Sequence, residues 1–169
     1  RPSNLYYKTG YTFVGWNTLA NGSGNGWTAG EEITWQVVGN VDLYAVWSPT
    51  KYDVTFWLDD ENLLADKLYY NTESFINSDK FPKVQRDGYK FLGWKIKSSD
   101  EAGWAGFSEF IGSNYVTQLP KAYYGTIALV ADWEPITYTI NFAFTDGVTP
   151  SRPVSPTQYN VTQESIDLP

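Results

Sequence analysis

Hydrophobic and polar positions alternate in short runs along this chain, and the clearest run occurs twice. Residues 88–94 read Gly88-Tyr89-Lys90-Phe91-Leu92-Gly93-Trp94, and the same pattern stands 78 residues earlier as Gly10-Tyr11-Thr12-Phe13-Val14-Gly15-Trp16. Each copy opens with a glycine, which tolerates positive φ and so suits a tight turn. The aromatic residues that follow lie two apart, as on one face of a half-buried β-strand. The second glycine has two readings. It lets a neighbouring ring or backbone approach closely, or it marks a bulge that brings the tryptophan onto the core face.

The flanking runs repeat as well. Leu43-Tyr44-Ala45-Val46-Trp47 returns as Leu129-Val130-Ala131-Asp132-Trp133, and Tyr52-Asp53-Val54-Thr55-Phe56 returns as Tyr138-Thr139-Ile140-Asn141-Phe142, both at an offset of 86. Tyr70-Asn71 is echoed by Tyr159-Asn160, Pro82 by Pro169, and Pro2 stands roughly where Pro82 does relative to its Gly-Tyr motif. A unit of about 80–87 residues is the size of a small domain rather than of a solenoid repeat. The phase of the repeat divides the chain into the second half of one unit (1–47), a complete unit (48–133) and the first half of another (134–169).

Within the complete unit, Tyr52, Val54, Phe56 and Leu58 alternate on one face of a strand over 51–58. The polar Asp59-Asp60-Glu61-Asn62 is a turn, and 63–70 returns as the second strand of a hairpin. A short helix is expected over 72–78. Phe81-Pro82 leads into a strand over 88–96, residues 98–106 read as an exposed loop, 115–119 fits no single pattern, and 127–133 is the closing strand. Pro49 and Pro135 make the linkers between units short. The predicted architecture is α+β and mostly β, in tandem small domains.

Composition narrows the chemistry. Of 169 residues, 42% are hydrophobic and 18% aromatic, enough for packed cores, and only 18% are charged, unlike a disordered chain. A net charge of −7 argues against nucleic acid and anionic membrane surfaces as partners. No stretch approaches the roughly 18 apolar residues of a membrane span, and the absence of methionine marks the chain as an excerpt of something longer. With neither cysteine nor histidine, thiol nucleophiles, disulfides, Cys/His zinc sites and histidine triads are excluded. Carboxylate pairs for glycoside hydrolysis need only be close in space, and nothing singles one out.

The order Tyr-x-Val-Thr-Phe, Pro, Gly-Tyr-x-Phe-x-Gly-Trp, Leu-Tyr-Ala-x-Trp resembles the Listeria–Bacteroides repeat, whose best-known member is the internalin B-repeat. The resemblance covers nearly the whole chain. It implies a β-grasp-like fold and a place in tandem arrays on bacterial surface proteins, extracellular or at the cell surface, with no catalytic residues and no cofactor. Three departures stand out. The first strand runs into Trp57-Leu58-Asp59-Asp60 instead of a Gly-rich turn, Leu129–Trp133 carries Val130 and Asp132, and the 98–124 loop is long. Loops carry ligands, so these changes bear on a shared ligand more than on a shared fold.

Two groups of residues are candidates for recognition. Asp59, Asp60, Glu61 and Asp66 are candidate calcium oxygens, but their spacing matches no EF-hand loop, and a solvated turn is the favoured reading, with no metal site expected. Among eight tryptophans, Trp57 should point away from the face shared by Phe56 and Leu58, and its counterpart in the next unit is Ala143. Trp104 and Trp27 stand in glycine-rich stretches. Such rings either stack on sugars or anchor a protein partner, or they fold back over their own core. Two functions follow: a non-catalytic surface repeat that spaces and contacts a host or bacterial surface protein, or a carbohydrate-binding module. A coplanar exposed pair of rings favours sugar, and scattered buried rings favour the spacer. The two half-units are complementary and are expected to dock, within one chain or head-to-tail between chains.

Overall fold

The computed structural model describes residues 6–112 and 114–167; Pro2 and Pro169, which enter the phase of the repeat, lie outside them. The elements in order are β1 (Tyr11–Asn17), β2 (Gly26–Thr28), β3 (Tyr44–Pro49), β4 (Tyr52–Trp57), β5 (Leu63–Tyr70), β6 (Ile76–Asn77), a 3-10 turn (Ser78–Lys80), β7 (Tyr89–Ser99), α1 (Phe107–Ile111), β8 (Gln118–Leu119), β9 (Ile127–Pro135), β10 (Tyr138–Thr139) and β11 (Gln158–Tyr159). The described residues are thus mostly β, with one short helix.

The strands form a three-stranded sheet, β2-β1-β3, a central four-stranded sheet, β5-β4-β9-β7, and two-stranded pairs β6-β8 and β10-β11. In the central sheet β4 and β9 run parallel and the outer strands pair with them antiparallel. A parallel pair needs a crossover. Here the crossover from β5 to β9 carries β6, β7, α1 and β8, and part of it covers one sheet face. Phe81, Trp104, Phe107, Val116 and Leu119 close over Val54, Phe56, Leu129, Ile127 and Trp94. Every buried hydrophobic residue among those described falls between Val54 and Ala131.

The two Gly-Tyr strands share one irregularity. In β1 the register with β3 shifts between Phe13 and Gly15, and in β7 the register with β9 shifts between Phe91 and Gly93. Phe91 and Trp94 lie three residues apart, an odd separation that strict alternation would send to opposite faces. The extra residue of the bulge, Leu92, absorbs the mismatch and brings both rings to the core. In β1 Val14 is the extra residue and puts Phe13 and Trp16 on one face. The glycine also admits a close neighbour: a Cβ on Gly93 would lie 2.3 Å from Cγ of Tyr115, and one on Gly15 would lie 1.9 Å from the carbonyl oxygen of Trp27.

Two expectations for local structure are corrected. Residues 72–77 hold no helix, and a single 3-10 turn begins only at Ser78, because the Asn71 side chain turns the chain first: its Oδ1 accepts from Glu73 N at 2.9 Å and from Ser74 Oγ at 3.0 Å. The helix forms instead at 107–111, beyond the stretch read as an exposed loop. That stretch is shorter than expected, since β7 runs on to Ser99, and it is not wholly exposed, since Gly103 and Trp104 are buried. Trp104, Phe107 and Ile111 fall three and four residues apart, the spacing of a helical apolar stripe.

The complementary segments at the two ends do not share a sheet. β10 pairs with β11 and β1 pairs with β2 and β3, with no ladder between the two groups among the described residues. Tyr138 faces Tyr159 just as Tyr52 faces Tyr70 in the β4-β5 hairpin.

Candidate functional site

The turn that opens each Gly-Tyr strand is built alike. Tyr11 N donates to Lys8 O and Tyr89 N donates to Arg86 O, both at 3.0 Å, around a glycine at φ 77°. In both turns the cation two residues before the glycine lies over the tyrosine ring: Lys8 Nζ is 3.7 Å from the Tyr11 centroid, and the Arg86 guanidinium carbon is 4.3 Å from that of Tyr89. Beyond the turn, Phe13 makes edge contacts with Trp16 at 5.4 Å and Trp47 at 5.3 Å, and Phe91 makes them with Trp94 at 5.5 Å and Trp133 at 5.4 Å. In the central sheet these motif residues form turn and core, whereas Phe13, Trp16 and Trp47 of the first sheet form turn and a partly buried cluster.

The three candidate tryptophans are scattered. Trp104, expected on an exposed loop, is only 4% exposed; its ring stacks on Tyr123, meets Tyr70 and Phe107, and its Nε1 donates to Gly125 O at 3.1 Å. The apolar collar left by the crossover draws the ring inward, so it offers no ligand face. Trp57 points away from Phe56, as alternation requires, and is half-buried beneath Lys97, whose Nζ lies 4.9 Å from its ring. Its Nε1 is buried with no hydrogen-bond partner. Trp27 is half-buried in β2 and pairs with Trp35 at 5.7 Å with a 36° tilt; Trp35 is 46% exposed. Nothing in the spacing of the sequence marks Trp35 or Tyr123, because both are brought in by loops.

Around Trp57 the outer face of the central sheet carries paired charges. Lys95 Nζ lies 2.7 Å from Asp132 Oδ2, which also accepts from the Tyr115 hydroxyl at 2.8 Å. The hydrogen bond from Lys95, then that from Tyr115, holds the Asp132 carboxyl below its ordinary value, and the bond to Asp132 raises Lys95 and Tyr115. Lys67 pairs with Asp53 at 3.3 Å.

The acidic turn spends its oxygens on the chain itself. Asp59 Oδ1 accepts from Glu61 N at 3.1 Å, Asn62 N at 2.9 Å and Asn62 Nδ2 at 2.7 Å, which holds its carboxyl low, the backbone N–H of Glu61 most of all. Lys97 Nζ takes both Asp60 Oδ1 and Asp60 O at 3.0 Å. Asp66 stands apart on β5. Among the described residues no group of three acidic side chains is arranged to hold a metal ion.

An apolar groove of about 350 Å³ runs beside Trp94, lined by Pro82, Val84, Phe91, Leu92, Tyr115 and Val116 among others. Its lining suits an apolar side chain better than a sugar, which needs several convergent polar groups.

The model of the Listeria-Bacteroides repeat domain matches residues 1–46 and 52–117. A protein of Evansella cellulosilytica, named provisionally as a Gly-rich membrane protein, is 31% identical over 149 residues, covering 83% of this chain and 16% of that protein. The chain thus spans about a sixth of that relative's length. No solved structure matches the chain. Among the described residues no helix is long and apolar enough to cross a membrane.

Proposed function

Because the chain belongs to the Listeria–Bacteroides repeat family, we propose that it is a non-catalytic, tandem repeat module of a bacterial cell-surface or secreted protein, acting as a spacer that contacts proteins. The observation that carries this reading is duplication of architecture without duplication of an exposed site. The glycine turn, the bulge and the aromatic triad recur with ring distances equal to within about 0.1 Å. By contrast, Trp57 has Ala143 as its counterpart, and the groove beside Leu92, Gly93 and Trp94 is lined by Pro82, Val84, Tyr115 and Val116 where the one beside Val14, Gly15 and Trp16 is lined by Asn17, Trp27 and Thr28. Repetition of a scaffold with changing outer faces suits a spacer whose contacts differ from unit to unit. A β-grasp-like repeat belongs to the same proposal, and the strand order, with the parallel pair β4-β9 at the centre and the antiparallel strands β5 and β7 outside, supports it. A large relative named for the membrane agrees with display at the cell surface.

Antibodies against this chain should label intact cells that make it, and labelling only after permeabilisation would overturn the surface assignment. A second reading, carbohydrate binding, is favoured by Trp27 and Trp35, the tryptophan pair with an exposed member. Their 36° tilt departs from the coplanar platform on which a sugar stacks. A glycan array probed with the chain and with Trp27→Ala/Trp35→Ala separates the readings: specific binding lost in the variant selects the carbohydrate module.

A further inference from the structure

The opening glycine of each Gly-Tyr motif is used twice in the fold, and the second use lies between repeats. Gly10 O accepts from Thr50 N at 2.9 Å, and Gly88 O accepts from Ile136 N at 2.8 Å. Thr50 and Ile136 are equivalent residues, each one past the linker proline. The Cα face of the same glycine is covered by the following repeat. A Cβ on Gly10 would lie 3.2 Å from Thr72 Cβ, and one on Gly88 would lie 2.1 Å from Val161 Cγ1.

Thr72 and Val161 are also equivalent, each directly after the asparagine that ends a Tyr-Asn pair. Both asparagines form side-chain turns: Asn71 Oδ1 accepts from Glu73 N at 2.9 Å, and Asn160 Oδ1 accepts from Thr162 N at 3.0 Å. Both presented residues are branched at Cβ and therefore stiff. At the first joint Tyr11 adds a hydrogen bond from its hydroxyl to Glu73 Oε1 at 2.8 Å, and the Thr12 and Thr50 hydroxyls meet at 2.8 Å.

We propose that this glycine is the docking surface of one repeat for the next, and that the linker bond together with the asparagine turn holds successive repeats in one fixed orientation. The occupant is the residue after the asparagine of the following repeat in the same chain. A glycine is needed for two independent reasons. The turn requires positive φ, and the incoming β-branched side chain takes the space of a Cβ at Gly88 and crowds it at Gly10. The array is then a stiff rod and not beads on a flexible string, because each two-residue linker is pinned at its first residue and braced from its far side. This rests on the spacer reading for its purpose, but not for its test.

The chain contains no cysteine, so spin labels attach only where cysteines are introduced. Labels at Asn21→Cys/Asp79→Cys span the first joint, and labels at Asp79→Cys/Gln158→Cys span the second. Pulsed electron resonance should give one narrow distance for each pair. Gly88→Asn keeps a residue that tolerates the left-handed turn but adds a Cβ against Val161. It should abolish the single distance across the second joint and leave the first unchanged. Gly88→Asn/Val161→Ala, which removes the clashing Cγ1, should restore it. A turn role alone would not be rescued by a residue in the next repeat. Broad distances in the unsubstituted chain, a narrow distance in Gly88→Asn, or failure of the rescue would each overturn the proposal. None of these touches the surface assignment, which the labelling of intact cells decides separately.

Discussion

Phe13, Trp16 and Trp47 in the first sheet and Phe91, Trp94 and Trp133 in the central sheet make the same contacts through the same bulge, yet their burial differs. Trp94 is 4% exposed and meets Phe56 at 5.0 Å, whereas Trp16 is half-buried and meets Tyr6, itself 54% exposed, at 5.2 Å. The central sheet has β4 alongside β9 to supply Phe56, while no described strand pairs with the far edge of β3 in the first sheet. Likewise Trp133 donates to Leu58 O at 2.8 Å, and no described residue offers the matching carbonyl to Trp47. An identical motif therefore yields a sealed core in one place and a half-covered platform in the other. The triad is a local unit set by the bulge, and its burial is contributed by the strand that pairs in parallel with it.

The sharpest way to break this comparison is to truncate the shared tryptophan. Trp94→Ala should destabilise the central sheet by about 3–5 kcal/mol, the usual cost of emptying a buried aromatic site, and Trp16→Ala should cost the first sheet less than half of that. Residue-resolved hydrogen exchange in the whole chain reads both, and equal losses would mean that the parallel strand adds nothing. The second glycines come next. Gly93→Ala pushes against the Tyr115 ring and should cost about 1–3 kcal/mol as overpacking. Gly15→Ala meets backbone at Trp27 and should strip exchange protection from β2 while β1 and β3 stay paired.

Alkaline titration sharpens the contrast further. Burial pushes the Tyr70 phenol up to about 12, and its hydroxyl donates to Pro120 O. A raised folded pKa means that Tyr70 contributes fully below its unfolded value near ~10 and loses that contribution as pH rises through about 12. Tyr70→Phe should flatten the alkaline limb of a urea-midpoint profile read on the central sheet. The smallest effect is in acid. Asp132 is held low by Lys95 and Tyr115, so its contribution is present above ~4 and lost as pH falls through the lower folded value. Its counterpart in the first sheet is Val46, so Asp132→Asn should remove under about 1 kcal/mol from the central sheet only, and the first sheet should show no matching acid step.

Much of the fold was legible in the chain. Alternation placed the β4-β5 hairpin, β7 and β9, and the spacing of Phe91 and Trp94 allowed a bulge because no regular strand puts both rings on one face. Trp57 was legible too: Phe56 is fully buried and its neighbour must point the other way. The acidic turn was legible as a turn, since Asp and Asn close such turns on their own backbone. Trp104 was legible only in part: a ring in a glycine-rich loop could fold back over its own core, but only the path of the crossover over the sheet brings it against Tyr70, Phe107 and Tyr123.

By itself the sequence determined the repeat, the faces of its strands and the turn at each Gly-Tyr motif, because these follow from chain geometry within a few residues. Tertiary structure alone decided which aromatic rings are sealed, which carboxylates are paired and what rests on Gly10 and Gly88. Those outcomes depend on segments tens of residues away arriving at one place, where Val161 takes the space that a side chain on Gly88 would have filled and Thr72 crowds the same position at Gly10.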